Sequence, residues 1–331
     1  MFHRKTLTVL ALIGITACLL VASIVFGSVP VAPSDVWEAL TTNRHSYAQD
    51  VVRGLRVPRT ALLLLIGSVL GVSGAVMQAI TRNPLADPFV LGVSAGASLG
   101  ITAAVYFYGA TSAEEFTVMA IMGALLSGFL VIGIGQTGKG QSSPIRLVLA
   151  GMVGSVVMST WTSIMQHTDQ RTRETVRYLM VGGVGGRRLD DFPLAIALGI
   201  VGIIVCFVLS RKIAMLSMGE DIAAAAGIHP ARVKISAMII VVCMAGASVA
   251  ISGPIGFVGF AVPHLLRPFA RGSIEFLIIT SALGGAALLL AADILGRLVL
   301  HPQELEVSIV MGILGAPFFI LAAKRLAKER L

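Results

Sequence analysis

Three short stretches carry residue types that catalytic motifs use. "GVSAG" (92–96) has the pattern of a nucleophile elbow, with Ser94 as the attacking oxygen. That chemistry needs a strand–turn–helix context and a His or carboxylate base at the same depth, and the surrounding sequence offers neither. "GIGQTG" (133–138) has dinucleotide-loop spacing, and "GIGQTGKG" approximates a phosphate-binding loop. No strand precedes it, and Gly140 stands where a hydroxyl would be needed to hold magnesium. The six histidines are scattered, without the spacing of a metal site. Cys18, Cys206 and Cys243 all sit inside apolar runs and read as small buried hydrophobes.

Charge is more informative. Asp293 and Arg297 stand four apart within an apolar run, acid first, the order that favours an ion pair on one helix. Ionisable groups inside a membrane span are functional candidates, although a local pair near a boundary fits equally. "RGLRVPR" (53–59) places Arg53, Arg56 and Arg59 directly before a long apolar stretch.

The elements that hold these residues are apolar helices. The chain has 331 residues, of which 56% are hydrophobic and 13% charged, with a mean hydropathy of +0.90. A soluble domain carries roughly a quarter charged residues, so a large soluble enzyme is excluded. Candidate spans fall at about 7–27, 61–80, 89–108, 117–136, 146–166, 192–210, 235–253, 255–270, 275–296 and 306–323, most of them near the ~20 residues that cross a bilayer. The span 255–270 is short and holds Pro263, His264 and Pro268, and 235–253 runs into it through Ser252-Gly253-Pro254. The first run is too long for a signal-peptide core and lacks a small-x-small site, so it reads as a retained helix.

Ten spans put both termini on one side. With that side inside, 15 of the 25 Lys and Arg residues fall there, as the positive-inside rule requires. The outer basic residues cluster at 53–59, at 171–188 and at Arg297, against that rule. They are either a docking surface or a rim that snorkels to headgroups.

Ser34 is a candidate N-cap for a short interfacial helix bearing Trp37 and Leu40. Asp87-Pro88 is expected to cap and open the third span. Residues 215–234, "MLSMGEDIAAAAGIHPARVK", form the only long inner connection. Acids at Glu220 and Asp221 start a helix and Gly227 stops it, giving either a docking surface for a soluble partner or a simple connection. Gly92, Gly96 and Gly100, like Gly67 and Gly71, have the spacing that lets helices approach closely in lipid.

The stretches "LRVPRTALLLLIGSVLGVSGAVMQAITRNPLADPFVLGVSAGASLG", "GPIGFVGFAVPHLLRPF", "LLLAADILGRL" and "PQELEVSIVMGILGAPFFILAAKR" resemble FecCD-type permeases. These are membrane subunits of type II ABC importers for iron–siderophores, haem and vitamin B12. The resemblance implies an all-α polytopic fold of about ten transmembrane helices in one domain, 1–331, in the cytoplasmic membrane of a bacterium. The implied partners are a second permease subunit, identical or homologous, two ATP-binding subunits that carry ATP and Mg, and an extracytoplasmic substrate-binding protein. This chain itself would bind no cofactor, metal or nucleic acid and catalyse no reaction. Arg56, Arg59 and Arg297 match arginines that grip acids on the binding protein. Arg53 lies outside that motif, and Arg187 and Arg188 are weaker candidates. Gly219, Glu220, Asp221 and Gly227 match the coupling helices that meet the ATPases. The fifth span would line the path, with Ser142, Ser143 and Pro144 at an inner gate.

Two other classes predict different sequences. An ion-driven carrier should show paired carboxylates or broken helices at mid-membrane, and only Asp293 comes close. An intramembrane hydrolase would need a base for Ser94. Among the family's cargoes, iron–siderophore is the expected one, with haem or cobalamin as alternatives.

Overall fold

The computed structural model describes residues 2–42, 46–89, 91–136, 144–300 and 303–328. Helices make up the fold: α1 (Phe2–Val25), α2 (Pro33–Thr41), α3 (Tyr47–Gln49), α4 (Val57–Thr81), α5 (Val93–Tyr108), α6 (Ala113–Gln136), α7 (Pro144–Thr168), α8 (Gln170–Met180), α9 (Pro193–Met218), α10 (Glu220–Ala225), α11 (Pro230–Ser252), α12 (Val258–Ala270), α13 (Ile274–Val299) and α14 (Val307–Lys328). A π-helical turn, Asp50–Arg56, joins α3 to α4. Among the described residues, seven helices are long and apolar enough to cross a membrane. With the shorter α5, α12 and α14 they make the ten expected spans.

α4 is the central pillar, packed against α13, α9, α12 and α11. It gets close to two of them because it has no side chain where they cross. A Cβ on Gly67 or Gly71 would overlap backbone at Gly285 or Ser281 of α13, and one on Gly74 would overlap the Gly259 carbonyl of α12. Gly96 and Gly100 play the same part between α5 and α6, against Gly123 and Met119. Lipid tails are as apolar as leucine, so helices in a bilayer gain from dispersion at such short backbone separations and not from burial.

The run expected to be one or two spans, 235–270, is two helices. Gly253 (φ 69°) and Phe257 (φ 77°) bracket the break between α11 and α12. At 13 residues and 1.5 Å of rise each, α12 is roughly 20 Å long, too short to cross alone. Its irregular lead-in is therefore enclosed by protein: Gly253 sits against Leu179 and Gly182, and Gly256 against the Phe89 ring.

Two capping expectations need correction. α2 starts at Pro33 with Ala32 as its N-cap, and Ser34 bonds only the neighbouring Asp35. Proline's fixed φ already suits the first helical position, so no side-chain cap is required. Val36 and Ala39 face inward, while Trp37 and Leu40 face out. Asp87 does not open α5, which starts at Val93 after Gly92 in the left-handed region. The buried Asp87 side chain instead accepts from the Phe89 amide at 2.8 Å, within its own turn, and lies against Gly259 at the start of α12.

Gly74→Val should cost more than about 2 kcal/mol through overpacking and abolish the monodisperse peak in detergent gel filtration. Gly133→Ala, which meets nothing within 4 Å, should elute as wild type.

Candidate functional site

At the end of the bundle that carries α2 and α8, four arginines converge on helix ends. Arg297, late in α13, pairs at 2.7 Å with Asp293 one turn earlier. Its Nη1 also donates to the Ser23 and Phe26 carbonyls at the end of α1, and its Nη2 to the Ser23 hydroxyl. Arg56 donates to the Ile24, Val25 and Val29 carbonyls at 2.5–2.8 Å. Together they cap the C-terminus of α1, satisfying carbonyls that an α-helix leaves open and meeting the negative end of its dipole. Both are buried. Arg53 does the same for α2, bonding the Ala39, Leu40 and Thr42 carbonyls.

Arg59 differs. Its Nε and Nη2 both hold Asp293 Oδ1, at 3.0 and 2.7 Å, and its Nη1 reaches Glu304 Oε2 at 2.6 Å. Asp293 is fully buried and Arg59 nearly so, whereas the Glu304 side chain is 30% exposed. Asp293 is thus held between two guanidiniums, with Oδ1 on Arg59 and Oδ2 facing Arg297. Burial works to raise the Glu304 carboxyl, but the Ser28 hydrogen bond and the Arg59 charge outweigh it and hold Glu304 below its ordinary range. Burial pushes the neighbouring Glu306 up, with Arg59 offsetting only part. The structure therefore brings Arg56, Arg59 and Arg297 together, with only the Arg59–Glu304 edge at the surface. Arg188 is 73% exposed and faces Asp190, while Arg187 lies over the Tyr178 and Phe192 rings.

Between α5 and α7 lies a cavity of about 310 Å³ lined by Ser94, Ser98, Ser155, Ser159, Thr162 and Ser163, with Gln166 at one end. No charged side chain lines it. The hydroxyls of Ser155, Thr162 and Ser163 donate back to carbonyls one turn earlier, which leaves their lone pairs for a visitor. Ser94, rejected as a nucleophile, belongs to this wall. Phe89 and Pro254 also line a second cavity of about 560 Å³, apolar and floored by Phe257, Phe260, Met311 and Phe319. The broken backbone before α12 thus divides a hydroxyl-lined space from an apolar one. Sequence reading missed the hydroxyl wall, although its signal was present: positions 155, 159, 162, 163 and 166 share one helical face.

At the opposite end, Gly219 (φ 153°) and Gly227 (φ 77°) bracket α10. Glu220 pairs at 3.5 Å with Lys234, Asp221 is exposed, and Met218 and Ile222 project outward at 72% and 55% exposure. Only Ala223 of this helix is buried, so α10 stands proud of the bundle. Of the expected gate, Ser142 and Ser143 lie outside the described residues, and Pro144 opens α7.

The family model of the FecCD transport family matches residues 15–325. This chain belongs to the FecCD transport family. It is 35% identical over 96% of its length to the ferric enterobactin permease FepD of Escherichia coli, covering 95% of that protein. It is 32% identical over 98% of its length to the Bacillus subtilis protein YfiZ, named a siderophore transport system permease, covering 97% of it. A solved structure described as an inward-facing metal-chelate type ABC transporter superposes with a TM-score of 0.78 at 26% identity, over 95% of this chain and 99% of that one. PsaBC from Streptococcus pneumoniae shares the fold at 13% identity and a TM-score of 0.61, over 87% of this chain and 94% of that one. This FecCD chain is accordingly a multi-pass transport permease subunit of the bacterial inner membrane, with the type II ABC importer permease fold.

Asp293→Ala would remove the carboxylate that two buried guanidiniums share, leaving Arg59 with Glu304 and Arg297 with the α1 carbonyls. It should destabilise the detergent-solubilised protein by about 3–5 kcal/mol, read as a drop in melting temperature well beyond that of Arg188→Ala.

Proposed function

We propose that the chain translocates an iron–siderophore complex inward, as the membrane subunit of an importer powered by separate ATPases. The observation that carries this reading is the uncharged hydroxyl wall meeting the apolar chamber at Phe89 and Pro254. Such a surface hydrogen-bonds a bulky polar chelate weakly at many points, which suits passage and not retention. The names of the relatives, ferric enterobactin for one and a siderophore for another, support iron–siderophore over haem or cobalamin. Nothing in the described residues gives an ion-driven carrier its paired mid-membrane carboxylates.

In this reading the termini and α10 face the cytoplasm. Two ATP-binding subunits, holding ATP and Mg, seat on residues 215–234, with Gly219 and Gly227 bounding the contact helix and Glu220 and Asp221 on its surface. The exposed apolar face of α7, which includes Val153, Val157, Trp161 and Ile164, fits a second permease subunit. ATP binding draws the two ATPases together, α10 passes the motion to the spans, and the path opens to each side in turn. Ser142, Ser143 and Pro144 would lie at its inner gate.

An extracytoplasmic binding protein would dock over α2 and α8. We assign the docking contact to Arg59, whose edge reaches the surface beside Glu304, while Arg56 and Arg297 hold the platform beneath it. Rim charges of this kind steer and orient an encounter.

Two substitutions separate the parts. Ser159→Phe should narrow the path and cut ferric siderophore uptake by roughly tenfold at unchanged protein level; wild-type uptake would sink the path assignment. Glu220→Lys with Asp221→Lys should leave the fold intact yet abolish co-purification of the ATPase subunit. Retained complex and retained uptake would remove α10 from the coupling role.

A further inference from the structure

A second cavity class lies at the α10 end, away from the path. It holds about 540 Å³ between the start of α1, the end of α9 and the start of α13. Its rim is cationic and its wall apolar. Lys5 lies 5.3 Å from the centre of the Phe276 ring and, among the described residues, pairs with no carboxylate. Arg211 meets Glu275 at 3.2 Å through Nε alone, and its side chain is 87% exposed. Phe207, Val208 and Ile279 carry the cavity wall towards the span interior. Val208 is 71% exposed and Phe207 47%, so this wall is on the perimeter of the bundle, where lipid is the solvent. Ser273 caps α13 by accepting from the Phe276 amide, placing the positive end of a 26-residue helix beside the rim. Taken over Lys5, Arg211 and Glu275, the lining carries one net positive charge.

We propose that this cavity seats the phosphodiester headgroup of an anionic phospholipid of the inner leaflet, with Lys5 and Arg211 as its cationic contacts. The combination favours a lipid over a soluble anion. A monoanion balances the rim charge, while the apolar wall next to it gives the first acyl methylenes a surface that a free phosphate could not use. Basic pockets between helix ends on the cytoplasmic side are the places where anionic headgroups bind. Glu275 occupies Arg211 when the lipid is away, so headgroup and carboxylate compete for one guanidinium. The leaflet assignment rests on the orientation proposed above; the binding itself does not.

Native mass spectrometry of the purified chain in mild detergent, titrated with phosphatidylglycerol or phosphatidylcholine, tests this. Phosphatidylglycerol adducts should persist at collision energies that strip phosphatidylcholine. Lys5→Ala with Arg211→Ala should lower their retention roughly tenfold or more, and Glu275→Gln should raise it. The melting temperature of each variant in lipid-free detergent reports folding separately. Equal retention of the two lipids, or a double variant that retains phosphatidylglycerol as wild type does, would overturn the proposal. Glycerol phosphate protecting as well as the lipid would replace it with a soluble oxyanion site. Because retention is read without transport, it stands apart from the importer reading.

Discussion

Helix ends are the constraint from which most of this structure follows. Each α-helix leaves its last carbonyls unbonded, and within or beside a bilayer little water is available to satisfy them. Here arginines from other elements do it repeatedly. Arg56 and Arg297 close α1, and Arg53 closes α2. Arg171 reaches the Gly109 carbonyl after α5, and Arg173 the Gln166 carbonyl near the end of α7. Arg82 reaches Leu216 at the end of α9. A guanidinium suits this task because it offers five donors in a rigid fork and keeps its charge. α1 shows the dependence most plainly. Only 11% of its apolar window is buried, so packing alone holds it poorly and its position rests on its capped end.

This accounts for the feature that composition made odd. In the orientation expected from the sequence, basic residues at the α2 and α8 end oppose the positive-inside tendency, and the sequence offered a docking surface or a snorkelling rim as reasons. Five of them, Arg53, Arg56, Arg171, Arg173 and Arg297, are caps. α1, α5 and α7 end on that side, and their terminal carbonyls draw cations there. The buried Asp293 then completes the arrangement by balancing Arg59 and Arg297 at the place where α4 and α13 meet α1.

The fold was largely legible. Span length and hydropathy located the seven helices long enough to cross and the shorter α5 and α14, and the four-residue glycine repeats marked the crossings of α4 with α13 and of α5 with α6. The ion pair of Asp293 with Arg297 followed from spacing on one helix. What sequence could not supply was tertiary. Nothing in the chain near Arg56 says that its partners are carbonyls 27 to 32 residues earlier, or that Asp87 lies against Gly259 at the start of α12. The hydroxyl wall was within reach, since its residues share one helical face. Scattered serines in an apolar run read as tolerated polarity until a cavity lies in front of them.

On the path proposed above, a corridor surfaced with neutral hydroxyls cannot tell one chelate from another by charge. Its preferences can come only from width and from the loose fit of many weak contacts. Replacing one cargo by another of similar girth then calls for no redesign of the corridor. In that reading fidelity is left to whatever hands the cargo over, and a single membrane scaffold can serve a succession of ligands as its delivery partners diverge.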